Sequence, residues 1–414
     1  MAASTINVQM GEQHLSLQDV EVARQRLAGV IYLSPCAYSE TISQLAGART
    51  SFKLENLQMT GSFKERGAAN RLLTLSEAER ARGVVAASAG NHGLAVAFHA
   101  RRLGIRATIV MPEWAPLIKV TSARRDGAEV ILAGDDYDEA NEAAQKLWRE
   151  RQATFVHPFD DYEVIAGQGT IGLELLDQEP DLEAAIIPVG GGGLIGGVGL
   201  AIKETAPRVR VIGVQAKNLA AMHGSLLAGR IEPLPPAPTI ADGIAVRKVG
   251  VLTFPLVQRY VDELVTVSEE EIANAILLLL EIEKTVVEGA GATTLAALLN
   301  RDLKLRGKRV ALVLSGGNID VNVISRIIEK GLVKDGRRVR LAVLLQDRPG
   351  ALARLTALVA AERANILEIE HHRAFASAEI GETEVELTLE TTGYEQIRRM
   401  VETLSKAAYR VREL

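Results

Sequence analysis

The sequence predicts an α/β chain in two parts: parallel sheets alternating with helices over most of its length, then a ferredoxin-like β-α-β-β-α-β domain at its C-terminal end. Three observations carry this. Short β-branched runs recur between helix-length segments. Most of these runs are continuously apolar, as strands buried on both faces require. The rhythm then changes at the polar, basic stretch KDGRRVR, residues 334–340. A length of 414 residues also asks for more than one hydrophobic core.

The runs GVVAASA, RATIVMP, AEVILAG, TFVHPF, EAAIIPVGG, VRVIGVQ, ELVTVS and KRVALVLSGG predict the strands of α/β units, in one sheet or two. Several end in Gly, Ser or Pro, which places the functional loops beyond the C-terminal strand ends. The uncharged stretch 184–202 has the length of a bilayer span, but Pro188 and the glycines after it make it a strand, a glycine loop and a packed helix. The composition shift puts a domain boundary at 335/336, with residues 1–335 as the first part and 336–414 as the second. Beyond it, RVRLAVLLQ reads as a strand, DRPG as a turn and ALARLTALVAAERA as an amphipathic helix. NILEIEHHRA and the alternating ETEVELTLE are strands, YEQIRRMVETLSKA is a helix and YRVREL an edge strand, which completes the ferredoxin-like order.

A net charge of -5 with 24% charged residues lacks the basic excess of a nucleic-acid binder. The single cysteine, Cys36, builds no disulfide framework, and the first residues hold no apolar signal core. A cytoplasmic protein with no membrane partner is expected. His371 and His372 are adjacent on a predicted strand, so they point to opposite faces and do not resemble a ligand pair. No metal is expected.

The glycine run at 188–197 follows a predicted strand and opens a helix, a geometry that cradles an anion on backbone amides. Gly191, Gly193 and Gly196 also fit the dinucleotide fingerprint, but the next strand ends in Gln215 where that fold needs an acid, and no Walker A sequence is present. The loop reads as a holder for one phosphomonoester. In SAGNHG, residues 88–93, Ser88 and Asn91 fit a carboxylate or phenolate contact and equally an ordinary N-cap loop. Ser315 in LSGGN fits either a hydrogen bond to a heterocycle or a helix cap. Asp242 and Glu288, flanked by glycines, fit plain loop carboxylates as well as a site. Ser62 and Glu65 read as a capping box that starts a helix with Lys64 in its first turn. There the helix dipole favours the neutral amine, and Phe63, Gly67, Ala68 and Ala69 make a closely packed setting. By itself Lys64 is either a surface lysine or a reactive amine.

An amine nucleophile, a cradle for one phosphate and a polar group for a heterocyclic nitrogen are together what a pyridoxal phosphate enzyme needs. KLENLQMTGSFKERGA, SAGNHG, VIAGQGTIGLE, PVGGGGLIGG, TIADGIAV and LSGGN occur in this order over roughly residues 20–330. They resemble the fold-type II pyridoxal phosphate enzymes, specifically the threonine dehydratases of the serine/threonine dehydratase family. DRPGALARLTALVA and ANILEIEH resemble an ACT regulatory domain. The resemblance implies a two-subdomain, tryptophan synthase β-like fold, with a small subdomain over roughly residues 65–160 inserted in the large one. It bonds pyridoxal 5'-phosphate to Lys64, sets Phe63 beside the ring and Asn91 on the phenolic oxygen, and surrounds the phosphate with Gly190, Gly191, Gly192, Gly193 and Leu194. Ser315 faces the pyridine nitrogen, and Ser88, Ala89, Asn91 and His92 form the loop for the substrate carboxylate. In the ACT domain it implies an amino-acid effector site with Asp347, Arg348, Pro349, Gly350 and Asn365, in a homo-oligomer (dimer or tetramer).

The implied reaction is β-elimination and deamination of L-threonine to 2-oxobutanoate and ammonia, with L-serine also converted to pyruvate, under allosteric control. Lys64 takes the α-proton as general base. A neutral Ser315 cannot hold the pyridine nitrogen protonated as an aspartate would, which suits elimination better than transamination. Racemases of the family carry a serine directly before the G-N-H of the substrate loop, where this sequence has Ala89, so racemisation is expected to be minor. They also hold a cation through a carboxylate at the position of Gln215. The alternatives are an L-serine dehydratase or serine racemase of the same family and, in another class, a non-catalytic amino-acid sensor. The intact Lys64, Ser315 and glycine loop count against the sensor.

Overall fold

The eight apolar runs of the first part all form strands, and two strands precede them. In chain order these are β1 Cys36–Ser39, β2 Arg49–Lys53, β3 Val84–Ala87, β4 Ala107–Met111, β5 Glu129–Leu132, β6 Thr154–Phe155, β7 Ala184–Pro188, β8 Arg210–Ala216, β9 Glu263–Val267 and β10 Arg309–Val313. The structure is a computed structural model that describes residues 14–115, 117–372 and 379–414. The strands make two sheets. A six-stranded sheet runs β1-β2-β10-β7-β8-β9, parallel except for β1, and a parallel four-stranded sheet runs β5-β4-β3-β6. Strands β1 and β2 escape a search for apolar runs because they are short and polar. In β2, Thr50, Ser51 and Lys53 are buried alongside Phe52.

Each sheet has its own core. Ala185, Ile187, Val211 and Val313 of the larger sheet pack with Leu194, Ile195 and Val198 of the helix Gly193–Thr205. Val84, Ala86 and Ile109 of the smaller sheet pack with Ala68 and Leu72 of the helix Lys64–Leu73 and with Val96 and Ala100 of the helix Asn91–Arg102. The uncharged stretch at 184–202 is β7, a glycine turn and the helix Gly193–Thr205. Among the described residues no helix is long and apolar enough to cross a membrane.

The chain divides into compact units between Ile319 and Asp320, ahead of the boundary expected at 335/336. The reason is the helix Val321–Lys334, whose N-terminus is capped by the Asp320 side chain and which packs against the first strand of the second unit. That unit holds β11 Arg338–Gln346, β12 Asn365–His372, β13 Glu382–Glu390 and β14 Arg410–Glu413 in an antiparallel sheet of order β12-β13-β11-β14. Val385, Leu387 and Leu389 on alternate positions of β13 meet Leu355 and Val359 of the helix Ala351–Ala361 and Met400 and Leu404 of the helix Tyr394–Lys406. His371 lies opposite Val385 and His372 opposite Glu384, on opposite faces. His372 Nε2 sits 3.4 Å from Glu370 and 3.7 Å from Glu386.

Candidate active site

The end of β10 fixes the segment before the lysine helix. Phe63 N–H donates to Ser315 O at 2.9 Å, and Ser62 pairs with Gly316 in an isolated bridge. This pairing replaces the expected capping box. Ser62 is drawn towards Gly316, Phe63 becomes the N-cap residue without a side-chain cap bond, and Glu65 instead accepts from Thr60 N–H and Oγ1 at 2.9 and 3.1 Å. Lys64 is the first residue of the helix. Its Nζ donates to Pro158 O at 2.7 Å and lies 5.2 Å from the centroid of the Phe63 ring. Burial brings the Lys64 pKa down to about 8, against the pull of the Glu288 carboxylate.

Pro158 belongs to a loop after β6 that ties Lys64 to the glycine run. His157 Nδ1 accepts from Phe159 N–H and Asp160 N–H at 3.2 and 2.8 Å, and burial lowers the His157 pKa to about 4, so the ring stays a neutral acceptor. The Asp160 carboxylate takes the amides of Val251, Leu252 and Thr253. Thr253 Oγ1 in turn donates to Gly191 O at 2.5 Å, and Gly250 N–H donates to the same oxygen at 3.2 Å. With the carbonyl of Gly191 taken, the loop turns into the helix Gly193–Thr205 through Gly192 at φ +98. A Cβ on Gly191 would lie 2.4 Å from the Phe159 ring, and one on Gly192 2.6 Å from Met222. The turn needs glycine for close approach as well as for φ. A helix start of this kind leaves its first amides without internal partners, a geometry suited to an anion.

Beyond β3, Ser88 Oγ accepts from Gly90 N–H at 3.1 Å and Ala89 is half-buried ahead of the helix Asn91–Arg102. The Asn91 amide is held at both ends: Oδ1 accepts from Asn318 Nδ2 at 2.9 Å, and Nδ2 donates to both Glu288 carboxylate oxygens at 2.9 and 3.0 Å. His92 follows Asn91 at the start of that helix with its ring turned inward. Its ring is 3% exposed, Nε2 pairs with Val156 O at 2.8 Å, and burial lowers its pKa to about 3. Its ring is set in the core with Nδ1 unpartnered among the described residues, and its backbone N–H lies at the helix start.

Two buried groupings gain weight from the structure, the first at a carboxylate that the sequence leaves open between a loop and a site. Glu288 is 2% exposed, and burial with the nearby Asp242 raises its pKa to about 7. Its signal was the paired glycine-flanked loops, TIADGIA and VVEGAGA. Asp242 is exposed and paired with Lys119 at 3.3 Å, so the plain loop reading holds for it. The second grouping is a buried ionic cluster behind Lys64. Arg66 bridges Glu55 and Glu174 at 2.7 and 2.6 Å, Lys53 reaches Glu174 at 2.6 Å, and Ser34 Oγ donates to Glu55. Single charged residues inside KLENLQMTGSFKERG and GLELL gave no periodic cue to it.

The expected regulatory residues are split. Asp347 to Gly350 form the turn after β11, with Gly350 at φ +82. Asn365 opens β12 opposite Glu390, which is paired with Arg338 at the other end of β11. The nine residues of β11 put the turn and Asn365 roughly 25 Å apart at the rise of a strand.

Pyridoxal phosphate fits what remains. Ser315 is 1% exposed and, among the described residues, its Oγ finds no hydrogen-bond partner, nor does the buried Ser62 Oγ. Such orphaned hydroxyls call for a ligand, and they accompany a buried amine and an amide cradle. Residues 27–316 match the family described as pyridoxal-phosphate dependent enzyme, and residues 339–408 match the ACT domain. The L-threonine ammonia-lyase of Thermotoga maritima is 53% identical over 398 residues, covering 96% of this chain and 99% of that protein. That of Geobacter sulfurreducens is 50% identical over 393 residues, covering 95% and 98%. Among solved structures, a threonine deaminase from T.th. matches with a TM-score of 0.70 at 43% identity, covering 74% of this chain and 99% of that one. The chain belongs to the pyridoxal-phosphate dependent enzymes, in their fold-type II form, with an ACT domain following the catalytic unit.

Proposed function

We infer that this chain is a threonine ammonia-lyase that converts L-threonine to 2-oxobutanoate and ammonia and also accepts L-serine. The observation that carries the reading is the occurrence in one fold of a buried Lys64 amine, pKa about 8, and a Ser315 hydroxyl left without a partner among the described residues. Two relatives at 50% identity or more bear the name L-threonine ammonia-lyase, which supports the choice of substrate.

When bound, the cofactor supplies an electron sink in conjugation with the substrate α-carbon. The residues of the chain do the rest. Gly190 to Gly193 and Leu194 would hold the phosphate, Asn91 the phenolic oxygen, and Ser315 the pyridine nitrogen. The amides at the start of the helix Asn91–Arg102, with Ser88, hold the substrate carboxylate. Lys64 Nζ removes the α-proton as general base. The Pro158 carbonyl orients that amine, and burial keeps a useful fraction of it neutral near pH 8. Serine differs from threonine by one methyl, worth about 1 to 3 kcal/mol in an apolar pocket, so threonine is preferred and serine still turns over.

The enzyme is cytoplasmic and a homo-oligomer in this reading, and its ACT domain binds an amino-acid effector. One copy cannot bring the 347–350 turn and Asn365 to one ligand, whereas two copies related by symmetry can. Steady-state turnover of threonine and serine, with and without isoleucine and valine, tests the proposal. A colourless protein that makes no 2-oxobutanoate after addition of pyridoxal phosphate contradicts it.

A further inference from the structure

Glu288 stands where three loops converge. Its backbone N–H donates to Gly316 O at 2.9 Å, its carboxylate accepts from Asn91, and a Cβ on Gly243 or Gly316 would lie 2.9 or 2.5 Å from its Oε1. Two glycines therefore clear the space that this carboxylate fills. Among the described residues its side-chain donor is the Asn91 amide, the group that meets the cofactor's phenolic oxygen in the reading above, and the Asn318 backbone N–H also donates to it.

An amide side chain can be turned over at little steric cost, exchanging donor and acceptor. Here the exchange is blocked at both ends. A carboxylate only accepts, so it demands Asn91 Nδ2. Asn318 Nδ2, which also donates to Thr60 O at 2.8 Å, demands Asn91 Oδ1. Nδ2 carries two hydrogens, and one suffices for the paired Glu288 oxygens, which leaves a second donor on the same nitrogen.

We propose that Glu288 is a positioning residue: as an obligate acceptor it locks the Asn91 amide with a donor facing the cofactor. This deepens the pyridoxal phosphate reading and rests on it. The charged groups facing Glu288 are Lys64, Asp242 and Lys119, so the lock loosens when the carboxylate takes a proton and can then donate.

Three proteins decide the matter: wild type, Glu288→Gln, and the exchange Asn91→Asp with Glu288→Gln. Each apoprotein is titrated with pyridoxal phosphate at several pH values, following the visible absorbance band, and its melting temperature is recorded. Glu288→Gln is expected to bind about tenfold more weakly and to shift the pH midpoint of the band. The exchange variant again pairs a donor with an acceptor, so it recovers the apoprotein melting temperature. It turns an acceptor to the cofactor, however, and does not recover affinity or band. Recovery of all three properties by the exchange, or unchanged affinity and midpoint in Glu288→Gln, overturns the proposal. Should Glu288→Gln not fold, the 15N side-chain amide signals of Asn91 in the wild-type apoprotein serve instead. Movement with pH is expected, and signals that do not move overturn it. The wild-type band and its loss in Lys64→Ala test the underlying cofactor reading separately.

Discussion

Lys64 Nζ donates to the main-chain oxygen of Pro158 at 2.7 Å, so this amine is aimed by a loop outside its own helix. The same loop holds the glycine run through Asp160 and Thr253. The Lys64 amine and the glycine run are thereby one mechanical unit.

The pKa of Lys64 falls from 10.5 to about 8 on folding, chiefly through burial. Its contribution to stability is complete above pH 10.5 and is lost as pH falls through 8. The apoprotein of Lys64→Met should therefore be more stable than the wild type at pH 7, by up to about 3 kcal/mol, with the gap closing towards pH 10.5. Denaturant midpoints at pH 7 and 10 check this, and an equal gap at both contradicts it.

Arg66 is fully buried between Glu55 and Glu174. Arg66→Met leaves two buried carboxylates facing Lys53 alone and should cost about 3 to 5 kcal/mol. Urea unfolding measures the loss, and a change below about 1 kcal/mol would mean that the cluster is not strongly coupled.

Gly192 turns the chain at φ +98 with Met222 pressed against it. Gly192→Ala should weaken cofactor binding at least tenfold, by displacing amides of the phosphate cradle. Equilibrium titration of the apoprotein reads the effect, and wild-type affinity would remove the cradle from this loop.

Ala89 precedes Gly90 and Asn91 in the loop taken to receive the substrate. It has no proton to give, so Ala89→Ser should add racemase activity, seen as D-isomer in the residual substrate. A chirally pure residue would show that the missing acid is not the reason for one-sided proton transfer.

The catalytic unit keeps its own sheets and cores without any residue beyond Ile319. A chain ending there should retain threonine turnover and lose its response to effectors. Retained inhibition by the same amino acid would place the effector site elsewhere.

The eight apolar strands and the cofactor motifs were legible because each is local: a β-branched run, or glycines between a strand and a helix. The edge strands β1 and β2 were not, since CAYS and RTSFK owe their strand form to pairing with each other and with β10. The capping box at Ser62 was overruled by the bridge to Gly316, about 250 residues away in sequence. The buried ionic cluster and the Glu288 lock are also long-range: Glu55 and Glu174, or Asn91 and Glu288, meet only once the strand ends are assembled. His92 looked like part of the loop because its neighbours are, but the helix that begins at Asn91 turns its ring into the core.

The separation of Asn365 from the 347–350 turn carries a consequence for control. If one ligand needs both, its binding is second order in protein, and half-saturation should drift upwards on dilution as pairs of subunits come apart. The dose of effector that acts on a concentrated enzyme would then leave a dilute one unaffected, so the cell's stock of this protein would set its own sensitivity to control.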